Sequence, residues 1–243
     1  DTNVDGTPVL VFNPLSWERS DMVETTVRFT DAVPEQIAVY DGDTLVPSTV
    51  TARDEEKKTA TIRFQANALP SVGFKIFTVK AGDGTVETNL SVEENDSLFV
   101  MENEFLKVEI DKETGNIAQV YNKKDNNRPV FADGYQGNEI HIYKDTGGSS
   151  YPAWDLVMDE MNADPVAILN DTPEAIEIIE NSPDRVVVRV SRSWSNSSMY
   201  QDITLYPDSD RVDVKMHVNW NEDQRMIKIS FPFAAESDHA TYE

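Results

Sequence analysis

The 243-residue sequence has no cysteine and only three histidines. Without thiols there can be no disulfide, no thiolate metal site and no cysteine nucleophile, and the composition suits a reducing, cytoplasmic setting. His141, His217 and His239 do not stand at metal-ligand spacing, and neither an HExxH nor a histidine-x-aspartate motif occurs. No serine sits in a GxSxG elbow, and no glycine loop is built to cradle phosphate. Basic residues are scarce, 21 against 44 acidic ones, for a net charge of −23. Such a surface repels phosphate backbones and anionic lipid, which argues against nucleic acid and membrane as partners. No apolar run approaches the length of a membrane span, and no charged-then-apolar leader opens the chain. The chain starts without Met and stops at Tyr242-Glu243 just after a new apolar patch begins. It reads as a piece of something longer.

The pattern that remains is period two. Val9–Phe12 is a short apolar strand closed by Asn13-Pro14, a turn-forming pair. Val23, Thr25 and Val27 alternate. Further short strands end at Asp41-Gly42-Asp43 and at a Leu69-Pro70 corner. Turns at this spacing, with no helical periodicity, predict a small antiparallel β-sandwich. Lys80–Thr85 is the richest turn cluster, and the residues up to Asp96 stay polar. These features place a domain boundary there, giving units of 1–88 and 89–243.

In the second unit, Phe105–Ile110 and Ile117–Tyr121 flank Asp111–Asn116 as a hairpin, with Gly115 free to take a left-handed conformation. Gly137–Tyr143 is a strand with Ile140 and Ile142 on one face and Glu139, His141 and Tyr143 on the other. Leu156–Asn162 carries a weak helical signal. The longest alternating stretch is Arg211–Phe233. Val212, Val214, Met216, Val218 and Trp220 form one row, the polar knot Asn221–Arg225 interrupts, and a second strand runs to Phe233. This stretch predicts a pair of long strands forming the spine of a large sheet, with Glu222-Asp223 as a solvated turn and His217 on its polar row. The fold class is therefore all-β.

No complete catalytic constellation emerges. Tyr151-Pro152-Ala153-Trp154-Asp155 gathers two aromatics and a carboxylate in a loop. Aromatic faces stack on the C–H faces of sugars while a carboxylate accepts their hydroxyl protons. The same residues would also serve as an aromatic plug at one end of the sandwich.

Five segments, taken in order, carry a resemblance: VFNPLSWERSDMVE, ENEFLKVEIDKETGNIAQVYNKKDNNRPVF, GNEIHIYKD, YPAWD and NWNEDQRMIKISFPF. Together they resemble the C-terminal β region of glycoside hydrolase family 38 α-mannosidases, with the bacterial and cytosolic branch the most similar. The resemblance implies a small β-sandwich followed by a supersandwich like that of galactose mutarotase. It implies a parent enzyme that cleaves terminal α-mannosides with retention, using an aspartate nucleophile, a carboxylic acid and a zinc ion. Those groups lie in the family's N-terminal barrel, so no catalytic or metal-binding residue is assigned in this chain and no cofactor is expected on it. The implied partners are the parent's own barrel and helical bundle, which the β region helps to close around the sugar, and a mannose-containing oligosaccharide. A homo-oligomer is compatible with the family. Asn138, Tyr151, Trp154 and Asp155 are the candidates to face substrate. Asn221 stands where the family motif commonly has histidine. Two further readings stay open, a stand-alone carbohydrate-binding module and a structural interaction domain.

Overall fold

The structure, a computed structural model, describes residues 6–147 and 154–239. The backbone divides into two compact units, residues 1–88 together with 182–185, and residues 89–181 together with 186–243.

Unit 1 contains β1 (Thr7–Asn13), β2 (Arg19–Arg28), β3 (Ile37–Asp41), β4 (Thr44–Val46), β5 (Ser48–Asp54), β6 (Thr59–Leu69) and β7 (Gly73–Ala81). One sheet runs β1-β7-β3-β4 and the other β2-β6-β5, and every pairing is antiparallel. This is the sandwich that the turn spacing predicts. Alternate residues of each sheet meet in a core holding Val27, Val39, Ile62, Phe64, Phe77 and Val79, with the Phe64 and Phe77 rings 4.9 Å apart. The Asn13-Pro14 turn is fixed by its own side chain. Asn13 Nδ2 donates to the carbonyls of Trp17, Leu69 and Pro70 at 2.8, 3.2 and 3.0 Å, and its Oδ1 accepts from Leu15 N. β6 is buried on both faces. Its outer row carries Arg63, 6% exposed, which meets Asp184 of the 182–185 segment.

Unit 2 contains β8 (Ser91–Glu94), β9 (Leu98–Glu102), β10 (Leu106–Asp111), β11 (Ile117–Asn122), β12 (Arg128–Pro129), β13 (Glu139–Lys144), β14 (Ala167–Leu169), β15 (Ala175–Ser182), β16 (Arg185–Trp194), β17 (Ser197–Leu205), β18 (Val212–Asn219) and β19 (Arg225–Ser230). Its one α-helical turn among the described residues, α1, spans Met158–Met161. The strands make sheets β12-β11-β10-β9-β8, β15-β16-β17-β18 and β14-β13-β19. The first two enclose the larger core, in which Met101, Val108, Ile110 and Ile117 meet Val186, Val188 and Ile203. A second core lies under the third sheet, where Ile140, Ile142, Leu169 and Met199 pack with Trp194 and Trp220, stacked at 5.9 Å. The β10–β11 hairpin turns at Gly115 with φ +66°, the left-handed conformation that its sequence predicts. Among the described residues no helix is long and apolar enough to cross a membrane.

The Arg211–Phe233 stretch departs from expectation. Its two strands do not share a sheet: β18 pairs with β17, whereas β19 pairs with β13. The reason lies in the polar knot between them. Asn221 N donates to Ser197 Oγ at 2.8 Å, and Glu222 Oε1 accepts from Asn196 N and Ser197 Oγ at 2.7 and 2.9 Å. These bonds tie the connection to the β16–β17 turn, so the chain is carried across to another sheet instead of folding back. Burial pushes the Glu222 carboxyl up, but the hydrogen bonds from Asn196 and Ser197 outweigh it, with help from Ser195 and Arg225, and hold it below the ordinary carboxylate range. β18 is therefore a sheet edge, and Val218 is 42% exposed. The core strands of this sheet are β16 and β17, with Val186, Val188, Ile203 and Leu205 wholly buried.

Candidate functional site

The candidate residues gather around β13 and the loop that follows it. Glu139, His141 and Tyr143 share the face opposite Ile140 and Ile142, as their alternation predicts, because Ile140 and Ile142 are buried in the core at 0% exposure. His141 Nε2 lies 2.5 Å from Glu139 Oε2, and its Nδ1 lies 3.5 Å from the Tyr143 hydroxyl. Antiparallel pairing sets Lys228 of β19 opposite His141. The Lys228 ammonium sits 4.1 Å from the centre of the Tyr143 ring and donates to the Met161 carbonyl at 3.1 Å, which anchors α1. The result is a half-buried cluster of carboxylate, imidazole, phenol and ammonium on one face of the β13-β19 pair.

The loop base is clamped. Thr146 N and Oγ1 both donate to the Glu160 carboxylate, at 2.8 and 2.7 Å, and Lys144 Nζ approaches it at 3.2 Å. The two bonds from Thr146 hold the Glu160 carboxyl below its usual range, over a smaller opposing effect of burial and with Lys144 adding to them. A carboxyl lowered on folding stabilises at pH above its unfolded value and loses that contribution as pH falls through the folded one. The clamp is therefore expected to stay closed at neutral pH and to open only in acid, at a pH below the ordinary glutamate range. A Thr146 amide resonance that titrates with an acidic midpoint, and no longer does so in Glu160→Gln, is the expected result.

Of the sequence candidates, Asn138 was expected to face a sugar and is instead wholly buried, with φ +62° and its Oδ1 accepting from Gln201 Nε2 at 2.7 Å. The left-handed backbone turns the chain into β13 and swings the amide into the core. Tyr151 lies outside the described residues. Trp154 is 82% exposed, and Asp155 beside it is exposed as well. The loop base and Asn138 sit at opposite ends of β13, six residues or about 20 Å of extended chain. Lys228 and Glu160 escaped the sequence reading, because strand pairing and the clamp bring them in from distant positions. Alternation along β13 was the only signal pointing at this face.

Among the described residues no three of His, Asp and Glu converge where a metal could be held. The molecule is an all-β protein that presents a clamped loop base and a polar strand face, without a converged set of reacting groups among the described residues. The family model "Glycosyl hydrolases family 38 C-terminal domain" matches residues 101–243, and the chain belongs to that family. It is 29% identical over 190 residues to Alpha-mannosidase G of Dictyostelium discoideum, an alignment that covers 72% of this chain and 17% of that protein. The chain thus spans about a sixth of the relative's length.

Proposed function

We propose that the chain is the C-terminal β portion of a retaining α-mannosidase. In this reading it packs on a catalytic barrel formed by other parts of the polypeptide and closes one side of the sugar pocket. The observation that carries it is the family match over 101–243, which takes in β10 through β19 whole. Two features of the surface support the packing and the closing. In unit 1, Leu10, Phe12, Trp17, Val72 and Phe74 are exposed, and Phe12 and Phe74 form a ring pair 5.7 Å apart. An apolar surface of this kind marks an interaction site. In unit 2 the clamp at Thr146–Glu160 holds the base of a loop that presents Trp154 and Asp155 outward. The indole offers a face to the C–H side of a sugar ring, and the carboxylate accepts from its hydroxyls. Asn138, bonded inside, sets where β13 begins.

The test compares residues 1–243 alone with the full polypeptide on an aryl α-mannoside. The isolated chain is expected to be inactive, while the full polypeptide is expected to hydrolyse the substrate in a zinc-dependent manner. In the full polypeptide, Trp154→Ala is expected to raise KM about 3- to 10-fold, the loss of one ring–sugar stack. Hydrolysis by the isolated chain would overturn the reading. The exposure of Trp154 also favours a second reading, a stand-alone sugar-binding module. Mannose-induced shifts confined to the Trp154 loop at sub-millimolar sugar would support it.

A further inference from the structure

Unit 2 has a groove of about 560 Å³ lined mostly by apolar residues, with Asn122, Asp210 and Arg211 also in its lining. Leu106, Val120 and Phe131 belong to the larger core, and Val212 and Val214 of β18 form the opposite wall. Phe233, 57% exposed, stands at the mouth, 5.9 Å from Phe131 and stacked at 6.2 Å on Phe231. The wall that carries Val212 and Val214 is also a sheet edge. β18 pairs with β17 through eight consecutive residues without a register shift, and among the described residues no strand lies on its other side. Its only charges, Asp213 and Lys215, alternate with the apolar row and leave that row free of charge. It has no proline and no bulge, and its inward row is Val212, Val214, Met216 and Val218 with no charge.

We propose that the β18 edge and this groove receive a β-strand from a segment of the same polypeptide outside residues 1–243. An added strand would satisfy the outward main-chain groups of β18 and lay alternate apolar side chains over Val212 and Val214 into the groove. A compact small ligand would fill the groove and leave the edge unpaired. A second copy is disfavoured by charge, since each chain carries −23. A segment in cis is supplied at high effective concentration, and most of the length of the matched relative lies outside the matched region. The inference rests on the chain's being part of such a longer polypeptide.

Hydrogen exchange followed by mass spectrometry on residues 1–243 and on the full polypeptide tests it. In the isolated chain, about half the amides of 212–219 should exchange on the order of 100-fold faster than those of 198–205. In the full polypeptide the two segments should be protected alike, independently of protein concentration. Val214→Lys, which puts a charge in the groove, should abolish that added protection while 198–205 stays protected. Equal exposure of 212–219 in both proteins would overturn the inference. So would protection that appears only as concentration rises, which would mean a second copy. Failure of the mannosidase reading would show separately, as an inactive full polypeptide, because exchange is read whatever the activity.

Discussion

Replacing Asp184 by alanine is expected to destabilise unit 1 by about 3–5 kcal/mol, the cost of removing one partner of a buried ion pair. Arg63 Nε donates to Asp184 Oδ2 at 2.6 Å, and the two side chains are 7% and 0% exposed. The other carboxylate oxygen, Oδ1, accepts from the hydroxyls of Ser182, at 2.9 Å, and Thr49. Loss of the carboxylate takes from the buried Arg63 guanidinium the charge that faces its Nε, and strands the hydroxyls of Ser182 and Thr49 that Oδ1 had accepted from. The attraction between the charges decides less than the cost of breaking this buried network from one side. A paired change to apolar residues of similar volume, Arg63→Met with Asp184→Leu, should recover most of the loss. Urea midpoints followed through exchange protection of β6 separate the cases. A single Asp184→Ala variant within about 1 kcal/mol of the parent would show that the site relaxes or hydrates.

Much of the fold was legible because period two and turn chemistry act locally. Val23, Thr25 and Val27, or Ile140 and Ile142, announce their faces without knowledge of any partner. Partner choice is not local. Arg211–Phe233 reads as one ribbon by every neighbour-level rule, and its division between two sheets depends on Glu222 meeting Asn196 and Ser197, some 25 residues away in sequence. The candidate site divides the same way. The row Glu139, His141, Tyr143 follows from alternation, but Lys228 joins it only through register, and Glu160 only through the clamp on Thr146. Asn138 misled for a related reason. The family resemblance pointed to it as facing substrate, and nothing in its neighbours reveals that Gln201 receives it in the core.

Buried amides are where sequence reading reaches least far, and Asn103 is the sharpest case. It stands in the ENEF segment that helps to carry the family resemblance, yet no local pattern distinguishes it from any other turn asparagine. In the structure it is wholly buried and uses its amide on both sides. Oδ1 accepts from Phe105 N and Leu106 N at 2.8 and 2.7 Å and shapes the β9–β10 turn. Nδ2 donates to the carbonyls of Tyr206 and Ser209 at 2.7 and 2.8 Å and fixes the connection from β17 to β18. Asn103→Ala strands two N–H groups and two carbonyls. At about 1 kcal/mol for each lost bond the expected cost is roughly 4 kcal/mol, with faster amide exchange in 206–210. Asn103→Asp divides the two halves of the role. Its carboxylate still accepts from Phe105 and Leu106 but faces the Tyr206 and Ser209 carbonyls without a proton to give. Burial and those carbonyls disfavour the charged form, so the introduced carboxyl should titrate above its usual value. The folded state then holds a proton that the unfolded chain has released. The deficit of Asn103→Asp relative to the parent should therefore shrink as the pH falls through that raised value, whereas that of Asn103→Ala should not. Denaturant midpoints of both variants at pH 5 and pH 8 give the answer. A deficit in Asn103→Asp that does not change with pH would mean the connection has moved away and left the carboxylate hydrated.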